Sequence, residues 1–156
     1  MRAGLGYDVH KLVEGLPLVL GGVNIPFHRG LEGHSDADVL CHAITDAVLG
    51  AAALGDIGIH FPDDDPRYNN ISSLFLLQKA VHLCHGRGFS LVNIDSILVA
   101  ERPKLAPYLY RMTVNLAETT GLPPSSICVK ATTTEGLGFV GKEEGMEARA
   151  VVLLTS

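Results

Sequence analysis

The stretch that most constrains this chain runs from Ser35 to Leu54, where Ala37, Leu40, Cys41, Ile44, Ala47, Val48 and Ala51 recur at helical spacing. A strand would bury every second residue instead. Ser35 or Asp36 suits the N-cap, so the spacing predicts a helix reaching about Leu54. Asp38, His42 and Asp46 stand at i, i+4 and i+8, a polar stripe beside the apolar face. A lone histidine in such a setting is usually a hydrogen-bonded structural residue. An acidic residue one turn away on either side makes it a better ligand candidate, because a carboxylate can orient an imidazole. The helix is also rich in alanine, which permits close packing.

The remaining elements follow in order. Residues 2–10 read as a strand carrying Gly4 and Gly6, and Leu16–Leu20 as a second, with Gly21-Gly22 as a turn. Residues 23–33 read as loop or edge strand. A second helix runs from Ser72 or Ser73 to about Gly86, and a third from Pro107 to about Thr120, stopped by Gly121. Strands are predicted over Phe89–Ala100, Ile127–Thr133 and Met146–Leu154. These elements describe an α+β fold: a small mixed four-stranded sheet with helices on one face, in one domain over residues 1–156. Ser96–Ala100 and Ala150–Leu154 lack full polar alternation, which predicts burial on both faces. Three helices can hardly cover both, so another subunit is expected on the second.

Composition narrows the class of partner. A chain with 47% hydrophobic and 19% charged residues is not a disordered polyelectrolyte. The formal charge of −5, without any Lys/Arg run, argues against nucleic acid as a partner. No apolar run reaches membrane-span length, and Met1-Arg2-Ala3-Gly4 opens no signal-type block. Cys41, Cys84 and Cys128 lack CxxC spacing and read as reduced core thiols in a cytoplasmic protein.

Two groups of residues carry chemistry. Asp8 and His10 are two apart, so a strand points both to one face. With His42 they would make a His2Asp site, and three protein ligands leave a fourth tetrahedral position open, the pattern of a catalytic zinc. The plain alternative is a surface aspartate and a capped histidine. The second group is Thr132-Thr133-Thr134 with Glu135: hydroxyls at a strand end suit phosphate oxygens, and one carboxylate suits a Mg2+ shared with phosphate. Lys104 and Lys142 add positive charge, and together the patches read as a diphosphate site with two metals. Asp63-Asp64-Asp65 between Pro62 and Pro66 is either a solvated, helix-capping loop or an acidic flap over the ligand. His82 and His85 lack an acidic companion and read as exposed. Gly136-Leu137-Gly138-Phe139-Val140-Gly141 spells GxGxxG, but no long helix can follow, so a dinucleotide fold is rejected.

At these residues the chain closely resembles the 2-C-methyl-D-erythritol 2,4-cyclodiphosphate synthases of non-mevalonate isoprenoid biosynthesis. The likeness rests on Gly6-Tyr7-Asp8-Val9-His10, on His34-Ser35-Asp36-Ala37-Asp38-Val39 with His42 and Asp46, and on Gly55-Asp56-Ile57-Gly58 with His60-Phe61-Pro62-Asp63. It continues in Pro103-Lys104 and in Lys130-Ala131-Thr132-Thr133-Thr134-Glu135 with Leu137-Gly138-Phe139 and Gly141. The resemblance implies a homotrimer with sheets facing its interior and active sites at subunit interfaces. It implies one Zn2+ per subunit on Asp8, His10 and His42, and Mg2+ or Mn2+ held by Glu135 with substrate phosphates. Catalysis would fall to His34, Thr133 and Glu135, and substrate contacts to Asp8, His10, His34, Ser35, Asp56, Ile57, Gly58, Phe61, Asp63 and Asp65. Nucleotide contacts would come from Ala100, Pro103, Lys104, Leu105, Ala131, Thr132, Thr133, Thr134 and Glu135 of a neighbouring subunit. Phe139, Lys142 and Arg149 would lie in the region lining the trimer axis, where some relatives hold an isoprenoid diphosphate. Departures from the family pattern include Asp64 for Thr, Glu101 for Gln, Lys142 for Arg, Asn70-Ile71-Ser72-Ser73 for a Gly-Ala-Asp-Ser-like segment, and Arg149 where some members carry Glu.

The implied reaction is a lyase-type cyclisation. The 2-phosphate of 4-diphosphocytidyl-2-C-methyl-D-erythritol 2-phosphate attacks the β-phosphorus, closing a cyclic diphosphate and expelling CMP. A metal-dependent phosphohydrolase and a non-catalytic trimer binding isoprenoid phosphates are the competing readings.

Overall fold

The computed structural model describes residues 1–156. The frame is set by β1 (Arg2–Glu14), whose residues alternate faces: Gly4, Gly6, Asp8 and His10 turn toward the helices, Leu5, Tyr7 and Val9 away. Against β1 lies α1 (Val39–Ala51). A Cβ added at Gly4 or Gly6 would overlap the backbone oxygens of Ala47 or Ala43, so the glycines let the alanine-rich face of α1 sit directly on the strand. The helix is nearly all buried, with Leu40, Ile44, Ala47 and Val48 fully enclosed. Its N-cap is Asp38, whose side chain accepts from Cys41 N–H at 3.1 Å, so the helix begins three residues later than the earliest cap the sequence offered.

The main sheet has five strands, ordered β4-β1-β7-β5-β6. Here β4 is Arg29–Leu31, β5 is Ser90–Val99, β6 is Ile127–Thr132 and β7 is Gly145–Thr155. Only β5 and β6 pair in parallel, joined through α4 (Leu109–Thr120). The strand beyond the expected four is β4, which lies at the sheet edge within the 23–33 segment read as loop or edge strand. It pairs with the far end of β1, at Leu12–Glu14. The Leu16–Leu20 strand shrinks to β2 (Leu18–Leu20) and forms a separate hairpin with β3 (Val23–Ile25). Gly21 and Gly22, at φ 55° and 72°, supply the two left-handed residues such a two-residue turn needs.

After α1 come the short α2 (Ile57–His60) and α3 (Ser73–Gly86), and α3 packs between α1 and α4. Pro107 lies in a 3-10 turn over Ala106–Tyr108 ahead of α4, and Gly121 at φ 77° ends α4 as expected. The GxGxxG segment forms only α5 (Gly138–Gly141). Cys41 and Cys84 are core thiols, but Cys128 is exposed on the edge strand β6, contrary to the core placement expected for all three. His82 and His85 are exposed. The second face of the sheet is not covered by this chain: β7 alternates after all, and Leu5 is 74% exposed beside Tyr7, Val9 and Val151. No helix is long and apolar enough to cross a membrane.

Candidate functional site

Seating α1 on β1 brings His42, one turn into the helix, over Asp8 and His10. Three donors form a near-equilateral triangle: His10 Nε2 to Asp8 Oδ2 is 2.9 Å, His42 Nδ1 to Asp8 Oδ2 is 3.0 Å, and His10 Nε2 to His42 Nδ1 is 3.1 Å. The outer nitrogens fix the tautomers. His10 Nδ1 donates to the Glu32 carbonyl at 2.7 Å, and His42 Nε2 meets Ser73 Oγ at 2.9 Å and Ser35 Oγ at 3.0 Å. With their protons turned outward, both inner nitrogens present lone pairs toward a carboxylate oxygen. Such a set is mutually repulsive unless a cation sits among its members. A tetrahedral Zn2+ with bonds of about 2.0–2.1 Å has ligand edges of about 3.3 Å, so this triangle needs to open only slightly. The group is suited to hold a metal ion.

Electrostatics agree with that charge demand. In the metal-free site a ring proton turned toward Asp8 takes the cation's part: burial raises the Asp8 carboxyl, but hydrogen bonds from the His10 and His42 rings carrying that proton outweigh it and bring it to about 2. Burial lowers His10, and the Asp8 carboxylate more than restores it, leaving it above its ordinary value.

The polar stripe along α1 divides in the structure. Asp38 is fully buried and turns away from His42 to accept from Gly21 N–H at 2.9 Å and Gly22 N–H at 2.7 Å. Asp46 accepts from Ile57 N–H at 2.7 Å, pinning α2 to α1. Neither orients the imidazole. That task falls to Ser73, fully buried at the start of α3, whose hydroxyl also bonds Asp36 Oδ1. Asp36 Oδ2 accepts from Ser73 N–H at 3.0 Å. Ser73 and Asp36 were not singled out from the sequence as parts of the site. Their only local signals were as candidate helix caps, which do not reveal that α3 starts beside His42.

The triangle floors a cavity of about 280 Å³. Of the expected substrate residues, Asp8, His10, His34, Ser35, Ile57, Gly58, Phe61 and Asp63 line it, joined by Gly33, Tyr68 and Leu76, which the sequence did not mark. Asp56 instead caps α2, accepting from Ile59 N–H at 3.0 Å. Asp65 caps the Pro66–Tyr68 turn and pairs with Arg67, while its carbonyl lies 3.1 Å from His34 Nε2. The helix-capping reading of the acidic loop therefore fits Asp65, and only Asp63 of the three faces the cavity.

A second cavity of about 540 Å³ shares no residue with the first. Ala100, Pro103, Lys104, Leu105, Ala131, Thr132 and Thr133 line it, together with Phe27, Glu101, Arg102 and Ala106. Thr134 and Glu135 follow directly in the loop beyond β6 but are not among its lining residues. Phe139, on α5, is partly exposed, and Lys142 caps that helix; neither reaches either cavity. Arg149 donates to Glu147 Oε1 at 3.0 Å, and Tyr7 donates to Glu147 Oε2 at 3.0 Å.

A group of O and N ligand atoms suited to a metal ion, open on one side to a cavity lined by His34, Ser35, Phe61 and Asp63, is the kind of site that metal-dependent enzymes of small molecules carry. The chain belongs to the YgbB family, whose model matches residues 1–155. A relative from Syntrophobacter fumaroxidans, named 2-C-methyl-D-erythritol 2,4-cyclodiphosphate synthase, is 64% identical over 100% of this chain and 98% of its own length. One of the same name from Pelotomaculum thermopropionicum is 60% identical over 99% and 95%. A solved structure of 2C-methyl-D-erythritol-2,4-cyclodiphosphate synthase in a CDP-bound form superposes with a TM-score of 0.91 at 42% identity, covering 99% of this chain and 100% of that one. The bifunctional IspDF of Campylobacter jejuni matches with a TM-score of 0.94 at 48% identity. This chain covers 42% of that protein's length.

Proposed function

We propose that this chain, as a single domain over residues 1–156, converts 4-diphosphocytidyl-2-C-methyl-D-erythritol 2-phosphate to 2-C-methyl-D-erythritol 2,4-cyclodiphosphate and CMP, in the cytoplasm. One observation carries the reading: the Asp8–His10–His42 triangle stands at the floor of a cavity in a chain that aligns end to end with synthases of that name. An oxygen of the 2-phosphate bonds to the β-phosphorus, the bond from that phosphorus to the bridging oxygen breaks, and CMP departs with the bridging oxygen. The nucleophile is already anionic, so no strong base is required. The obstacles are repulsion between anions and the entropy of folding the substrate back on itself.

Asp8, His10 and His42 would hold Zn2+, and Glu135 with the substrate phosphates Mg2+ or Mn2+; bound there, these ions neutralise phosphoryl charge. The chain's own groups do the positioning. Phe61, Leu76 and Ile57 offer apolar wall to the carbon skeleton, while Ser35, His34 and Asp63 face its hydroxyls and phosphate. The Asp65 carbonyl holds the His34 ring in place from its Nε2 side. Fixing the reacting ends together is worth roughly 7–11 kcal/mol in well-oriented systems. Thr132, Thr133 and Lys104 of the larger cavity suit the cytidine diphosphate portion. A homotrimer, with the uncovered sheet faces turned inward, would bring that cavity from one subunit to the smaller cavity of its neighbour; the exposed Leu5, Tyr7, Val9 and Val151 support it. The test is incubation with the substrate and Mg2+: cyclic diphosphate plus CMP is expected, and linear products alone overturn the reading.

A further inference from the structure

Beyond β6 the chain turns sharply into the left-handed region twice, Glu135 at φ 55° and Gly136 at φ 77°. Glycine takes that conformation freely; glutamate does so against crowding between its Cβ and its own peptide oxygen. Something must hold Glu135 there. Glu101, just past the end of β5, reaches across the gap between strands. Its Oε1 accepts from the N–H of Thr134 at 2.9 Å and from the N–H of Gly136 at 3.2 Å, the amides on either side of the Glu135 amide. The Glu135 N–H itself donates to Thr133 Oγ1 at 3.2 Å. The Thr134 hydroxyl lies 2.6 Å from the Leu137 carbonyl and 3.1 Å from Glu101 Oε1, and donates to one at a time.

Successive backbone N–H groups turned to one side in this way form an anion-binding concavity. Here the anion is a side chain of the protein itself. The amides of Thr134 and Gly136 hold the Glu101 carboxyl below the ordinary glutamate range, so it remains a charged acceptor through neutral pH. Glu101 also lines the larger cavity beside Thr132 and Thr133.

We propose that Glu101 is a positioning residue: by accepting from the N–H groups that flank Glu135, it fixes the Thr132–Gly136 loop so that Thr133 stands in the wall of the larger cavity and Glu135 beside it. The part of this concerning ligand rests on the synthase reading, in which those two residues meet the nucleotide phosphates and their Mg2+. Removing the carboxylate frees the loop to leave its left-handed turn.

The experiment compares the wild-type chain with Glu101→Ala and Glu101→Gln, reading amide hydrogen exchange over residues 131–137 and CDP affinity with and without Mg2+. Glu101→Ala should speed exchange of the Thr134 and Gly136 amides by about tenfold or more. It should also weaken the Mg2+-dependent part of CDP binding several-fold while the thermal midpoint stays near wild type. Glu101→Gln, which keeps the acceptor oxygen, should retain most of both. Unchanged exchange in Glu101→Ala overturns the proposal, and so does lost protection with unaltered CDP binding. If the wild-type chain binds no CDP at all, the synthase reading fails, and the exchange comparison alone then decides whether Glu101 fixes the loop.

Discussion

Two lone-pair nitrogens and a carboxylate oxygen about 3 Å apart are stable together only around positive charge, and a metal ion or protons can supply it. Without metal, the charge is the proton shared by His10 and Asp8, and the sign of its pH dependence follows. Asp8 is depressed from 3.8 to about 2, so its contribution is full above 3.8 and fades as pH falls toward 2. His10 is raised from 6.5, so its contribution is full below 6.5 and fades as pH rises through the higher folded value. Metal-free protein should therefore have its highest thermal midpoint between these limits, higher at pH 5 than at pH 8, and Asp8→Asn should flatten the difference; an unaltered profile in that variant contradicts the pairing. A second expectation concerns Ser73, whose hydroxyl fixes the His42 ring from behind. Ser73→Ala should weaken Zn2+ affinity about 10–100-fold by chelator competition, with the fold retained. Asp8, His10 and His42 could be named as candidates from strand and helix periodicity alone. Ser73 and Asp36 could not, because they meet His42 only through the packing of α3, which no local pattern encodes.

Among elements, the pairing of α1 with β1 does most to assemble the site. The approach depends on Gly6, where an added Cβ would strike the Ala43 carbonyl. Gly6→Ala should destabilise by about 3 kcal/mol or more in denaturant titration and displace His42 from Asp8; a stability loss below about 0.5 kcal/mol would show that the helix can stand off. The helix itself was legible as a run of apolar spacings, but its start was not. Ser35 and Asp36 look like caps, yet both side chains are drawn into the site, leaving the capping to Asp38. Burial of Asp38 was hidden for a similar reason: its partners, Gly21 and Gly22, lie in a hairpin turn earlier in the chain. The edge strand β4 was left open between loop and strand because three residues carry no period.

At the scale of the whole molecule, the two cavities share no lining residue, and the sheet between the strands that frame them leaves one apolar face open. The proposed trimer would account for both features. Leu5→Asp with Val151→Asp, adjacent across β1 and β7, should yield folded monomers by sedimentation and remove turnover; trimers that persist would contradict the proposed burial. The sequence suggested two-sided burial from apolar runs, although within one chain β7 alternates, so the expectation concerned the assembly rather than the subunit. In the proposed reaction the substrate's own phosphate, and not water, attacks the β-phosphorus. Turnover in 18O-enriched water measures this most directly. The cyclic diphosphate and CMP should both form without 18O; 18O in a released phosphate group would mean that water is the nucleophile and that the protein is a hydrolase.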